Sequence, residues 1–253
     1  MTKTKILTIF NQAGGVGKTT ITMNVGYQLS RRGHKVLLVD MDPQASLTVF
    51  MGLEPGDLEV TVYDSLIGQE SLPILKNIHQ MDMAPANIDL SAAEMELVSA
   101  IMRELRLKKA LAPIVDNYDF ILIDSPPSLG ILSVLTLVAA THVLVPIQTQ
   151  YKSFKGTELL LDSMATVRAN ANKELKLAGV IPNIFAARTV QDESTLEALR
   201  QQMSAITTVY SPIPRSTAFA DASKEHLPLA DYNPKHPAVA ILDEIAKGLE
   251  QLV

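Results

Sequence analysis

Short aliphatic and β-branched runs recur along the chain, separated by stretches in which apolar residues return every three or four positions. KILTIF, KVLLVD, DFILIDS, HVLVPI, KLAGVIPNIF and ITTVYSPI are apolar almost throughout. Strands read this way when helices cover both faces of their sheet. The alternation predicts βαβ units and an α/β fold: a parallel twisted sheet with helices on both faces. Two apolar stripes have helical spacing. One comprises Val98, Ile101, Met102 and Leu105, the other Val239, Leu242, Ile245, Leu249 and Leu252. Both predict helices packed on the sheet. Residues 51–90 are the least regular, punctuated by Gly, Pro and Asp. With no low-complexity linker and no repeat, residues 1–253 are expected to form a single domain.

The 253 residues are 47% hydrophobic and carry a net charge of −5, with no cysteine. That is enough apolar material for one sizeable core, and it excludes disulfides and thiolate-held metal or iron–sulfur centres. No global basic field announces a nucleic-acid partner, so any such contact would need a local patch. The opening MTKTKILTIF runs directly into a strand pattern without a signal-peptide core, and no apolar run has membrane-spanning length. A soluble cytoplasmic protein is expected.

NQAGGVGKTT follows the first strand pattern and precedes the helical pattern TTITMNVGYQLSRRG. From Gln12 to Thr19 it fits G-x-x-x-x-G-K-[ST] with a variant first position. In such a loop, glycines turn backbone N–H groups toward phosphate oxygens, and the start of the following helix adds positive potential. Gly14, Gly15, Val16, Gly17, Lys18, Thr19 and Thr20 are the phosphate-binding candidates, with the Lys18 ammonium on the terminal phosphates and the Thr19 hydroxyl on Mg²⁺. Two further strand patterns end in carboxylates, Asp40 and Asp42 in KVLLVDMDPQ and Asp124 in FILIDSPPSLG. A carboxylate closing an apolar strand is costly unless it meets a cation or donors. Nucleotide-bound Mg²⁺ would supply that cation. The alternative for any one aspartate at a strand end is a turn or helix cap.

In sequence order, GGVGKTT, LLVDMDPQ, DFILIDSPPSLG and PIPR resemble the motifs of the ParA/MinD family of deviant-Walker ATPases, over nearly the whole chain. The resemblance implies a P-loop NTPase fold, ATP hydrolysis with Mg²⁺, and a homodimer that sandwiches two ATP molecules. It also implies binding of that dimer to DNA or membrane, and a partner protein that stimulates hydrolysis. The role implied is the positioning of a cargo such as a plasmid, a chromosome or a protein body. Lys18 and Thr19 match the phosphate- and Mg²⁺-binding residues, and Asp42 matches the residue that orients the attacking water. Asp40 and Asp124 match the carboxylates around Mg²⁺. Asn183 in GVIPN and Pro214 in PIPR fall where relatives contact adenine, although a strand-end Asn and a loop Pro are also ordinary turn residues.

Ala13 departs from the family, whose signature lysine reaches from that position to the other protomer's phosphates. The carboxysome-distributing McdA ATPases also lack this lysine, so the resemblance implies them as the leading subfamily. Three readings remain open: a different lysine serves the dimer, dimerisation is weakened, or no sandwich forms. Transferred phosphoryl groups need surrounding positive charge. Lys152 and Lys155 in QTQYKSFKG, which leaves the strand neighbouring the Asp124 strand, are the substitutes considered, Lys152 first. The alternative is that both are solvated at a helix start.

No helix-turn-helix or zinc-finger pattern is present. Arg188, Arg200 and Arg215 are the first DNA candidates. Arg103, Arg106, Lys108, Lys109, Lys224 and Lys247 are otherwise scattered surface charge. A dimer would double a modest patch into salt-sensitive, sequence-independent DNA binding at the nucleoid. The tail AVAILDEIAKGLEQLV has three acids against one lysine, which disfavours an anionic membrane. The competing class is a metabolic ATP-dependent ligase or kinase of the same fold, similar to dethiobiotin synthetase, with a small-molecule pocket and no need of an activator.

Overall fold

The computed structural model describes residues 3–149, 153–186 and 190–252, with backbone alone for 153–159 and 190–191. The strands are β1 (Lys5–Ile9), β2 (Val36–Asp40), β3 (Leu75–Ile78), β4 (Met81–Ala84), β5 (Phe120–Asp124), β6 (His142–Gln148) and β7 (Lys176–Asn183). They form one seven-stranded sheet in the order β3-β4-β2-β5-β1-β6-β7. Every pairing is parallel except β3 with β4. The helices are α1 (Lys18–Arg31), α2 (Ser46–Phe50), α3 (Val62–Ile67), α4 (Leu90–Glu96), α5 (Arg106–Leu111) and α6 (Ile131–Ala139). After β6 come α7 (Ser153–Asn170), α8 (Val190–Met203), α9 (Ala218–Lys224), α10 (Leu229–Tyr232) and α11 (Pro237–Glu250).

The central strands bury both faces, which is why their sequences are apolar without alternation. Leu37 and Val39 of β2, with Ile121 and Ile123 of β5, pack under α3, α5, α6 and α7. Val36, Leu38, Phe120 and Leu122 point the other way, into a core with α1 and α11. The C-terminal stripe forms as expected: Leu242, Ile245 and Leu249 are buried, with Val239 and Leu252 packed at the edge. That apolar face is therefore spent on the protein's own core. Among the described residues no helix is long and apolar enough to cross a membrane.

Two expected elements do not form as read. Around Val98–Leu105 the chain makes two short 3₁₀ turns, Leu97–Ser99 and Arg103–Leu105. Met102 between them has φ +54°, which breaks any helix. Ile101 is 87% exposed, and Val98 and Met102 also face solvent. Leu97, Leu107 and Leu111 supply the buried contacts instead. ITTVYSPI, expected as a strand, makes only one isolated parallel bridge, Val209 to Val180, with a second just beyond it from Pro214 to Phe185. Pro212 and Pro214 have no N–H to give a ladder.

Candidate functional site

The loop between β1 and α1 is built by backbone constraints. Gly15 and Gly17 have φ +71° and +89°, where a side chain is strained. At Gly17 a Cβ would also collide with the Asn183 amide. Asn11 Oδ1 accepts from Ala13 N at 2.9 Å, and Asn11 Nδ2 donates to the Pro146 carbonyl at 2.7 Å, tying the loop to β6. Asn183 Nδ2 donates to the Val16 carbonyl at 2.7 Å from the other side. Lys18 Nζ donates across the loop to the Ala13 carbonyl at 3.0 Å. Gly17, the N-cap of α1, offers no capping side chain. The first-turn N–H groups are thus available to an anion, as a phosphate site requires.

Beside the loop, Asp40 and Asp124 are register partners at the ends of β2 and β5, and both are fully buried. Thr19 Oγ1 donates to Asp124 Oδ2 at 2.6 Å, and Thr22 Oγ1 approaches Oδ1 at 3.4 Å. Asp40 Oδ2 accepts from both Thr48 N (2.9 Å) and Thr48 Oγ1 (2.8 Å), while Oδ1 accepts from Asp42 N at 3.1 Å. Asp42 Oδ1 in turn accepts from Gln44 N at 3.0 Å. Asp40 therefore anchors the turn that carries Asp42. Burial pushes the Asp40 carboxyl up to about 6 against these hydrogen bonds. Burial, and then the Asp40 charge, holds Asp124 well above the usual carboxylate range. Burial lowers the Lys18 ammonium, opposed by Asp124 and Asp42.

Two buried carboxylates against one ammonium are under-neutralised, which fits a divalent cation. Among the described residues no group of three or more His, Cys, Asp or Glu forms an all-protein cage. Mg²⁺ normally takes one or two carboxylates with substrate phosphates and water, so the sparse set of Thr19 and Asp124, with Asp40 behind, suits it. Bound there, Mg²⁺ would neutralise phosphate oxygens. The raised Asp40 value has a consequence for stability without ligand. Its folded-state value lies above the unfolded one, so the protein binds the proton more tightly when folded. Stability from this group is complete below about pH 4 and is lost as pH rises through about 6. Asp40→Asn should therefore gain on the wild type between pH 4 and pH 6.5 in chemical denaturation; a constant difference would show that Asp40 does not titrate there.

A cleft of about 400 Å³ continues from the loop, lined by Gly15, Gly17, Thr20, Asn183, Pro214 and Arg215 among others. Ile21, Phe50, Ile213, Phe219 and Leu242 give it apolar walls suited to a flat base. Asn183 and Pro214 meet there because Ile213 N donates to Pro182 O (2.8 Å), and Arg215 N to Phe185 O (2.9 Å). The structure thus gathers the loop residues, Asp40, Asp42, Asp124, Asn183 and Pro214 at one end of the sheet. Arg215, expected on a DNA surface, lines this cleft while remaining exposed, and Arg200 is exposed on α8. Lys152 and Arg188, and the side chain of Lys155, lie outside the described residues. Sequence reasoning missed Asn11, Thr48 and Phe50. Thr48 Oγ1 also accepts from Ala86 N at 3.0 Å, joining the ends of β2 and β4. A threonine within a short helix carries no pattern that would single it out.

Residues 4–177 match a family model described as AAA domain. The chain is 38% identical to Sporulation initiation inhibitor protein Soj of Bacillus subtilis over 247 residues, covering 96% of this chain and 97% of that one. It is also 38% identical to Chromosome-partitioning ATPase Soj of Treponema pallidum over 254 residues, with 97% and 96% covered. Cobyrinic acid a,c-diamide synthase from Mycobacterium smegmatis with bound ADP and magnesium superposes with a TM-score of 0.87 at 33% identity, over 98% of this chain and 94% of that one. An ATP complex of a McdA variant from Cyanothece superposes with a TM-score of 0.88 at 25% identity, over the whole of both chains.

Proposed function

The chain belongs to the AAA-domain, ParA/MinD-type family of P-loop ATPases, and on that premise we propose that it is a single-domain, ATP-driven switch that partitions an intracellular cargo. In this reading ATP and Mg²⁺ bring two copies together, the dimer holds non-specific DNA, and an adaptor protein stimulates hydrolysis to release it. The observation that carries the reading is the uncapped α1 start facing Lys18 and the under-neutralised Asp40–Asp124 pair, a site made for a Mg²⁺-bound polyphosphate. The partitioning role is supported by Chromosome-partitioning ATPase Soj of Treponema pallidum, which matches almost end to end.

Lys18 holds the phosphates, Thr19 and Asp124 hold Mg²⁺ with Asp40, and Asp42 orients the water. Asn183 and Pro214 face the base. Ala13 contributes a backbone carbonyl but no charge, so Lys152, with Lys155 second, is assigned the phosphate contact across the dimer. Ala13 also supports McdA, and hence a carboxysome, as the first cargo to test, ahead of a plasmid or chromosome. Arg188, Arg200 and Arg215 are assigned to DNA, and the protein to the nucleoid in the cytoplasm.

Filter binding with random duplex tests this. Retention is expected with ATP, not ADP, and should fall steeply between 50 and 200 mM salt, by orders of magnitude if several phosphates are contacted. No ATP-dependent retention at low salt would remove the DNA claim. The likeness to an amide-forming synthase keeps a metabolic ligase as the second reading. That reading expects fast turnover with a small-molecule acceptor and no DNA or protein activator.

A further inference from the structure

The basic run Arg103, Arg106, Lys108 and Lys109 has no part in the nucleotide site. Arg106 opens α5 and Lys109 follows one turn later. Between α5, α3 and the segment after α3 lies a cavity of about 190 Å³, lined by Ser65, Gln69, Glu70, Ser71, Arg106 and Lys109 together with Ala110 and Pro113. Arg106 lines this cavity, and its Nη1 is buried without a hydrogen-bond partner. Among the described residues, neither Arg106 nor Lys109 makes an ion pair. A buried guanidinium N–H without an acceptor is costly, and the adjoining space has room for one.

We infer that this cavity is a second, separate anion site that takes a small oxoanion, a phosphate or carboxylate group, between Arg106 and Lys109. The guanidinium is planar and always charged, and its fork of donors matches either group, while the Lys109 ammonium adds a compact charge from the rim. Ser65 Oγ is already committed to the Ser71 carbonyl at 3.2 Å, so the cations carry the recognition. The volume admits a phosphate, a phosphate monoester or a small dicarboxylate and is less than half that of the nucleotide cleft. Glu70, exposed at the rim, is the one carboxylate lining the cavity, and its charge opposes the ligand.

The test uses the full chain saturated with ADP and Mg²⁺, so that the β1–α1 loop is filled. Inorganic phosphate is titrated against chloride of matched ionic strength, with succinate as a parallel arm, and binding is read by calorimetry and thermal shift. Saturable binding is expected, weakened about tenfold or more by Arg106→Gln and several-fold by the exposed Lys109→Gln. Glu70→Gln should tighten it. Phosphate binding in preference to succinate assigns the site to phosphate, and the reverse assigns it to carboxylates. Equal binding in the wild type and Lys109→Gln, or none beyond the chloride control, would overturn the proposal. So would Glu70→Gln lowering the melting temperature in phosphate-free buffer, because Glu70 would then be the internal partner of Arg106.

Discussion

Lys18→Ala should weaken ATP binding by about a hundredfold, the scale expected when one partner of a buried charged contact is deleted. Lys18 is buried, sits at the first position of α1 and spans the loop to the Ala13 carbonyl. Its charge also balances Asp124 and Asp42. Removing it takes positive potential from the phosphates and leaves the buried Asp124 with less compensation. The variant should therefore also lose stability at neutral pH without nucleotide, and regain part of it on acidification as the carboxylates protonate. Calorimetry with Mg²⁺–ATP, beside denaturation at pH 5 and pH 7.5, checks both. Wild-type affinity would take Lys18 out of the site.

Asp42→Ala should lower turnover about a hundredfold and leave ATP binding intact or slightly tighter. Asp42 is half-buried, at the tip of a turn held from below by Asp40 and Thr48. A group that orients water contributes mainly in the transition state, so its loss falls on kcat. Removing a negative charge from beside Lys18 and Asp124 favours an anionic ligand. Asp42→Asn separates charge from shape, since the amide can still accept from Gln44 N. Unchanged kcat in Asp42→Ala would assign the water to another residue. A loss that appears only in KM would make Asp42 a binding residue.

Much of this site was legible because its chemistry is tied to strand ends. β1, β2, β5, β6 and β7 are apolar on both faces, so Asp40 and Asp124 stood out where apolar runs stopped. The glycines, Lys18 and Thr19 were legible because glycine adopts the loop's positive φ without strain, and because helix starts bind anions. What stayed hidden is where local signals are weak. β3 and β4 turn through His79 and Gln80, whose φ of +47° and +62° would ordinarily call for Asn or Gly. Val98, Ile101 and Met102 have helical spacing but face outward, because Met102 breaks the chain direction and Leu97 takes the buried position. Thr48 and Asn11 act through geometry that only the folded chain creates. Ala13 was visible as a departure, but the lysine assigned to replace it lies outside the described residues.

ATP, held at the β1–α1 loop, is proposed to join two copies of this chain. Light scattering on Asp42→Ala, which should hold ATP and consume it only slowly, tests this. With ATP and Mg²⁺ the mass is expected to double, while ADP, omission of Mg²⁺, or the added Lys18→Ala change should leave a monomer. Adding Lys152→Ala should also prevent the doubling, and restoring charge with Ala13→Lys should bring it back. A mass that stays monomeric with saturating ATP, in a protein that binds the nucleotide by calorimetry, would contradict the account.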